Sequence, residues 1–227
     1  VDYSFGDDVA NNVTGIVFRA QEGAFLVGYI AGMTTKTNKV GFIGGMKNVI
    51  IDQFQYGFEA GVLYAAKERN VPIEVVNQYA ESFADAAKGK AIASSMYSGG
   101  CDIVFHAAGG VGYGVIEAAK DSNKFVIGVD RDQSYLAPDN VLTSAVKNVG
   151  TAVKLVSREL MDGNQIGGRD YEFGLSEHCV GIPENHKNME ESVYNKAMNL
   201  SKLVECGEIA VPFDEETFKI YKADLTK

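Results

Sequence analysis

The glycine-rich run Ala107-Ala108-Gly109-Gly110-Val111-Gly112-Tyr113-Gly114 follows one apolar stretch, and Asp130 closes the next, Val126-Ile127-Gly128-Val129. A glycine turn that opens a helix can bring backbone N–H groups and the helix N-terminus up to a polar ligand. A carboxylate about 20 positions on can accept two hydroxyls, the geometry offered by a ribose or sugar diol. The pair mimics a dinucleotide fingerprint, but the spacing fails. With Gly110 and Gly112 as the first two glycines, the third falls on Val115, where glycine or alanine is required. A nucleotide-cofactor oxidoreductase is therefore disfavoured, and no placed acid–base pair speaks for one. Lys147, just after the run Leu142-Thr143-Ser144-Ala145-Val146, could reach the same cleft. Phe83, in Ala80-Glu81-Ser82-Phe83-Ala84-Asp85, could stack on a flat ligand or pack on its own domain. For Asp130 the competing role is a helix cap or turn residue, and Asp132 reads as exposed or capping.

Catalytic constellations are weak, so no catalytic residue, metal or cofactor is expected. His106 lies inside an apolar run and reads as a satisfied core histidine. His178 and His186 lack a nucleophile motif or a Gly-x-Ser-x-Gly elbow. Cys101, Cys179 and Cys206 have no metal-type spacing. Cys101, beside Ile103-Val104-Phe105, reads as a buried thiol, and a Cys179–Cys206 disulfide is compatible with the sequence without being required by it. A formal net charge of -9 argues against a basic face for nucleic acid. No stretch reaches the ~20 apolar residues that span a bilayer.

The elements that would position these residues alternate. Short apolar runs at 40–45, 73–76, 102–108, 125–129 and 142–146 read as strands. Segments 22–33, 51–70, 84–97, 111–121, 150–161 and 189–206 read as helices, and 14–19 as a further short strand, with a Pro212-containing tail. Phe54, Phe58, Val62 and Ala65 recur at helical spacing. Runs apolar throughout suit strands covered on both faces. Alternating strands and amphipathic helices imply an α/β, doubly wound parallel sheet. In such sheets ligands sit beyond the carboxyl ends of the strands, which selects Gly44 to Asn48, Gln78 to Phe83, Ala107 to Gly114 and Asp130 to Gln133.

The same stretches resemble a known family. Glu22-Gly23-Ala24-Phe25-Leu26-Val27-Gly28, Lys39-Val40-Gly41-Phe42-Ile43-Gly44-Gly45-Met46 and Phe54-Gln55-Tyr56-Gly57-Phe58-Glu59-Ala60-Gly61-Val62 are similar to the basic membrane protein family of solute-binding lipoproteins. So are Ser82-Phe83, Phe105-His106-Ala107-Ala108-Gly109-Gly110, Ile127-Gly128-Val129-Asp130-Arg131-Asp132-Gln133, and Leu142-Thr143-Ser144 with Lys147. The resemblance implies the type I periplasmic-binding-protein fold, with two doubly wound lobes closing on a ligand. It places residues 1–37 at the end of the first lobe, 38–146 in the second, and 147–227 back in the first with a crossing C-terminal tail. It implies a purine nucleoside receptor feeding an ABC transporter permease, at the extracellular face of the cell membrane or in the periplasm, held there only by a lipid anchor. Phe83 would stack on the base, Gly109, Asp130 and Lys147 would hold the ribose hydroxyls, and Gly110 would belong to the same ligand-binding set. Family members begin with a strand and an Asp-rich loop; that stretch, roughly 100 residues by the usual lobe size, is expected to be missing from the first lobe here. A sugar or signalling-molecule receptor of the same fold would use Asp130 and Lys147 equally, so Phe83 discriminates. The effector domain of a transcription regulator would need a helix-turn-helix upstream.

Overall fold

The computed structural model describes residues 1–4, 6 and 10–225. In chain order the elements are β1 (Thr14–Phe18), α1 (Ala20–Thr34), β2 (Lys39–Gly44), α2 (Val49–Arg69), β3 (Glu74–Tyr79), α3 (Ala86–Ser98), β4 (Ile103–Ala107), α4 (Val111–Ser122) and β5 (Phe125–Asp130). They continue with β6 (Val141–Lys147), α5 (Val149–Met161), β7 (Arg169–Phe173), β8 (Val180–Gly181), α6 (Glu191–Glu205) and α7 (Glu215–Leu225). A six-stranded sheet has the order β3-β2-β4-β5-β6-β8, and β1 pairs with β7 in a separate two-stranded sheet. Every pairing in the larger sheet is parallel except β6 with β8.

The apolar runs are explained by the layers they join. Val40 and Phe42 of β2, with Ile103 and Phe105 of β4, face one core cluster, whereas Ile43 and Val104 face the other. Successive side chains point to opposite faces, and helices cover both. The chain leaves β2 toward β3 on one side and reaches β4 on the other. The strand order therefore reverses between β2 and β4, which opens a crevice at their carboxyl ends.

Helix α1 is buried almost all round, from Ala20 to Gly32 with only Glu22 partly open. It meets α2 through glycines, because a β-carbon on Gly61 would overlap the Phe25 carbonyl oxygen and lie 2.6 Å from the Tyr29 nitrogen. Backbone cannot step aside as a side chain can. Gly61→Ala is expected to cost ~1–3 kcal/mol through overpacking. Gly150→Ala on α5 would meet nothing within 4 Å and serves as the neutral control. Equal urea midpoints for the two variants would show that α1 and α2 separate freely.

The packing redraws the expected lobe boundaries. Helix α1 sits on α2 and β6, α6 on α1, and α7 on α2, and β8 joins the larger sheet. A helix buried on all sides needs partners that a two-stranded sheet cannot supply, so residues 20–37 do not belong with β1. Residues from about Leu175 onward supply β8 to the larger sheet and α6 and α7 to the layer of α1 and α2. The crossings are tied together. Arg19 N–H donates to the Phe173 carbonyl at 2.8 Å, and Asn148 N–H to that of Cys179 at 2.7 Å. The Arg19 guanidinium also pairs with Glu22 at 2.6 Å and Glu177 at 2.8 Å.

Other expectations are corrected too. The Pro212-containing tail carries α7, capped where Asp214 accepts from Thr217 N–H at 2.8 Å. Cys179 is buried and Cys206 exposed, and both are free thiols, so no disulfide joins them; Cys101 is buried as expected. His106 is fully buried in the core as expected, with the Gln133 side chain as its polar neighbour and no well-formed hydrogen bond to either ring nitrogen.

Candidate functional site

The crevice at the strand ends contains a cavity of about 200 Å³. Phe83, Gly109, Asp130 and Lys147 all line it, together with Asp2, Asn48, Ile51 and Phe54. A larger groove, about 550 Å³, runs between α2 and α7 and holds none of these residues.

Lys147 is the last residue of β6, and its side chain is only 4% exposed. Its Nζ lies 2.6 Å from Asp2 Oδ2 and 3.7 Å from Asp130 Oδ1. The Phe18 and Phe54 rings stand 5.4 and 5.2 Å from the same nitrogen. A buried ammonium is tolerable only when paired, and here two carboxylates and two ring faces pair it.

Asp130 ends β5 in the left-handed region at φ +66, with its side chain 60% exposed. The local turn contact belongs to Asp132, whose Oδ1 accepts from Ser134 N–H at 2.9 Å. Gln133 fixes the loop beyond: its Oε1 accepts from Val129 N–H at 3.0 Å, and its own N–H donates to Ser144 Oγ at 3.1 Å. Asp130 is therefore left with open carboxylate oxygen beside Lys147. A non-glycine residue in this backbone region is uncommon and costs energy, as at many ligand-holding positions.

Phe83 is positioned from several sides. Ser82 Oγ accepts from the N–H groups of Ala84 and Asp85, both at 3.1 Å, closing the turn around it. Gly110 N–H donates to the Phe83 carbonyl at 2.8 Å. Gly110 therefore acts on the loop and does not line the cavity. Gly109, at φ +55, makes the turn that allows this.

The expectation that the α4 N-terminus offers its amides to a ligand is corrected. The N–H groups of Val111, Gly112 and Tyr113 donate to the carbonyls of Ala108, Gly109 and Gly110. The α2 N-terminus is closed as well, since Asn48 Oδ1 accepts from Ile50 and Ile51 N–H at 2.9 and 3.1 Å.

Asp2, Phe18 and Phe54 escaped the sequence reading. Phe54 was visible only as helical core periodicity. Asp2 reaches the site because its N–H donates to the Ile16 carbonyl at 2.7 Å, which seats it beside β1. Among the described residues no His/Cys/Asp/Glu group could hold a metal ion, and no helix is long and apolar enough to cross a membrane.

Residues 2–215 match the protein family described as Bmp, ABC transporter substrate-binding protein PnrA-like. The chain belongs to the Bmp family. Among Bmp relatives, basic membrane protein B of Borreliella burgdorferi is 43% identical over 233 residues, a match that covers all of this chain and 65% of the relative. The chain thus spans about two thirds of that relative's length. A solved solute-binding protein of an ABC transporter system from Aeropyrum pernix superposes with a TM-score of 0.82 at 25% identity, over 96% of this chain and 72% of its own. A transcriptional activator of the comK gene from Bacillus halodurans superposes with a TM-score of 0.78 at 22% identity, over 88% of this chain and 68% of its own. That likeness is one of fold alone. The Bmp chain has the α/β architecture of the periplasmic solute-binding proteins.

Proposed function

We propose that this Bmp chain supplies one wall of a cleft that binds purine nucleosides, as the solute-binding component of an ABC importer. The observation that carries the reading is a single cavity with an aromatic ring, Phe83, together with an open carboxylate and a buried lysine, Asp130 and Lys147. A flat base needs the first, and a ribose diol needs the second. On this reading Phe83 stacks on the base, Asp130 and Lys147 hold the ribose hydroxyls, and Gly109 lets the ligand approach the backbone. The partner is a transporter permease, and the protein works at the extracellular face of the membrane or in the periplasm, held by a lipid anchor.

The charge balance supports a neutral ligand. Asp2 and Asp130 oppose the one ammonium of Lys147, and the N-termini of α2 and α4 are closed by their own bonds. A phosphate would meet net negative charge and few free donors. Asp130 is well exposed, so solvent and salt weaken that repulsion.

Calorimetry with guanosine, guanosine monophosphate and ribose tests the reading. Guanosine is expected to bind, and the monophosphate roughly tenfold more weakly at low salt. Tight binding of ribose with none of guanosine would replace the nucleoside by a sugar. Equal affinity for guanosine and its monophosphate would remove the neutral-ligand argument.

A further inference from the structure

Gly45 stands at the end of β2, and the reason it is glycine is not conformational. It is absent from the residues with positive φ, so its backbone is open to any L-residue. What excludes a side chain is the Phe83 ring: a β-carbon on Gly45 would come within 3.0 Å of Cδ1, Cε1 and Cζ. The ring edge rests directly on the β2 main chain.

That main chain is itself clamped. Gly45 N–H donates to the Ala107 carbonyl at 3.1 Å, and its carbonyl accepts from Glu81 N–H at 2.9 Å. On the other side Gly110 N–H holds the Phe83 carbonyl at 2.8 Å. The ring is thus fixed at both ends, its backbone by the β4–α4 turn and its edge by β2. These anchor points lie just beyond β2 and β4, the two strands that flank the crevice.

We infer that Gly45 is the positioning residue of the stacking site: its bare α-carbon sets the depth and tilt at which Phe83 presents its face to a ligand. This inference deepens the nucleoside reading and depends on it. A methyl group at position 45 leaves Phe83 in the sequence but pushes its ring outward, because ordinary van der Waals contact needs more room than the present gap. Stacking is then lost through geometry, without loss of the aromatic group.

The test is a double-mutant cycle on the protein with guanosine as probe, using Gly45→Ala, Phe83→Ala and the double variant. Phe83→Ala is expected to weaken guanosine binding roughly tenfold, the value of one base stacked on an aromatic ring. Gly45→Ala is expected to weaken it by a similar factor. In the Phe83→Ala background, the same Gly45→Ala change is expected to cost less than about twofold, since no ring remains to displace. A purely structural role for Gly45 would instead carry its full loss into that background, and additive losses therefore overturn the inference. So does an unchanged guanosine affinity for Gly45→Ala when Phe83→Ala is weak. If Phe83→Ala itself binds guanosine as tightly as the parent, the stacking part of the functional reading falls as well, which distinguishes the two failures. Should Gly45→Ala lower the melting temperature, the same pairing is read in stability. Removing the ring must then restore most of the loss, and a melting temperature that stays low in the double variant overturns the assignment.

Discussion

Lys147→Met should abolish measurable nucleoside binding while leaving the protein folded and no less stable. Among the described residues the Lys147 ammonium is the cation facing Asp2 and Asp130 in the cavity, and it stands over the Phe18 and Phe54 rings. Without it, a ligand hydroxyl loses a charged donor and the carboxylates lose their partner. Truncating one member of a buried charged pair in a binding site costs ~2–5 kcal/mol, or roughly 100-fold and more in affinity. Stability responds differently. An apolar side chain of similar length between two rings avoids desolvating an ammonium, and Asp2, the closer carboxylate, is itself 36% exposed, so water takes over from its lost partner. Asp130, being largely exposed, is left in solvent and not stranded in the core. Calorimetry and thermal melting on the same sample check both halves. Retained guanosine affinity would remove Lys147 from the site, and a collapse of the melting temperature would make its role structural.

Acid should unfold this protein earlier than its carboxylates alone would dictate, because of His106. Burial pushes its imidazole from near 6.5 down to about 4. The unfolded chain therefore takes up a proton as pH falls through 6.5, while the folded chain declines it until about 4. Stability is complete above pH 6.5 and is lost as pH falls through that window, by about 1.4 kcal/mol per pH unit and on the order of 3 kcal/mol in all. His186 acts in the opposite direction, since the Glu184 carbonyl and Glu191 raise it, but it sits at the half-buried surface beside an exposed Glu191, where solvent screens that effect. Urea unfolding between pH 7.5 and 4.5 reads the slope, and His106→Met should flatten it between pH 6.5 and 5. A parent protein equally stable at pH 7 and 5 would contradict this account.

What could be read from the sequence divides along the range of the forces involved. The strands were legible because burial on both faces turns them into unbroken apolar runs, as in Val40 to Gly45 and Val126 to Val129. Phe83, Asp130 and Lys147 were singled out by the rule that strand ends face the crevice, and the structure gathers all three on one cavity. The Gly110 N–H serves the Phe83 carbonyl, a partner 27 positions away that no local spacing reveals. Asp2, Phe18 and Phe54 surround Lys147 through contacts between distant segments, so their types alone carried no signal. The allegiance of α1 was hidden for a related reason: a helix apolar on every side announces burial without saying against what. The α7 cap at Asp214 and Thr217, by contrast, followed an ordinary start signal.

The alternation of β4 carries a last consequence. Phe105 enters one helix layer, His106 points to the opposite face, and Ala107 returns to the first before the glycine turn. Core and cleft are therefore written in one phase. Deleting a single residue between Ile103 and Ala107 would send Phe105 to the wrong layer and turn the Gly109 corner away from Asp130. Inserting two would restore the phase yet lift that corner by ~6.6 Å, out of reach of the residues it now meets. Point substitutions can adjust what this cleft binds, but the spacing of its strands is held by the interior.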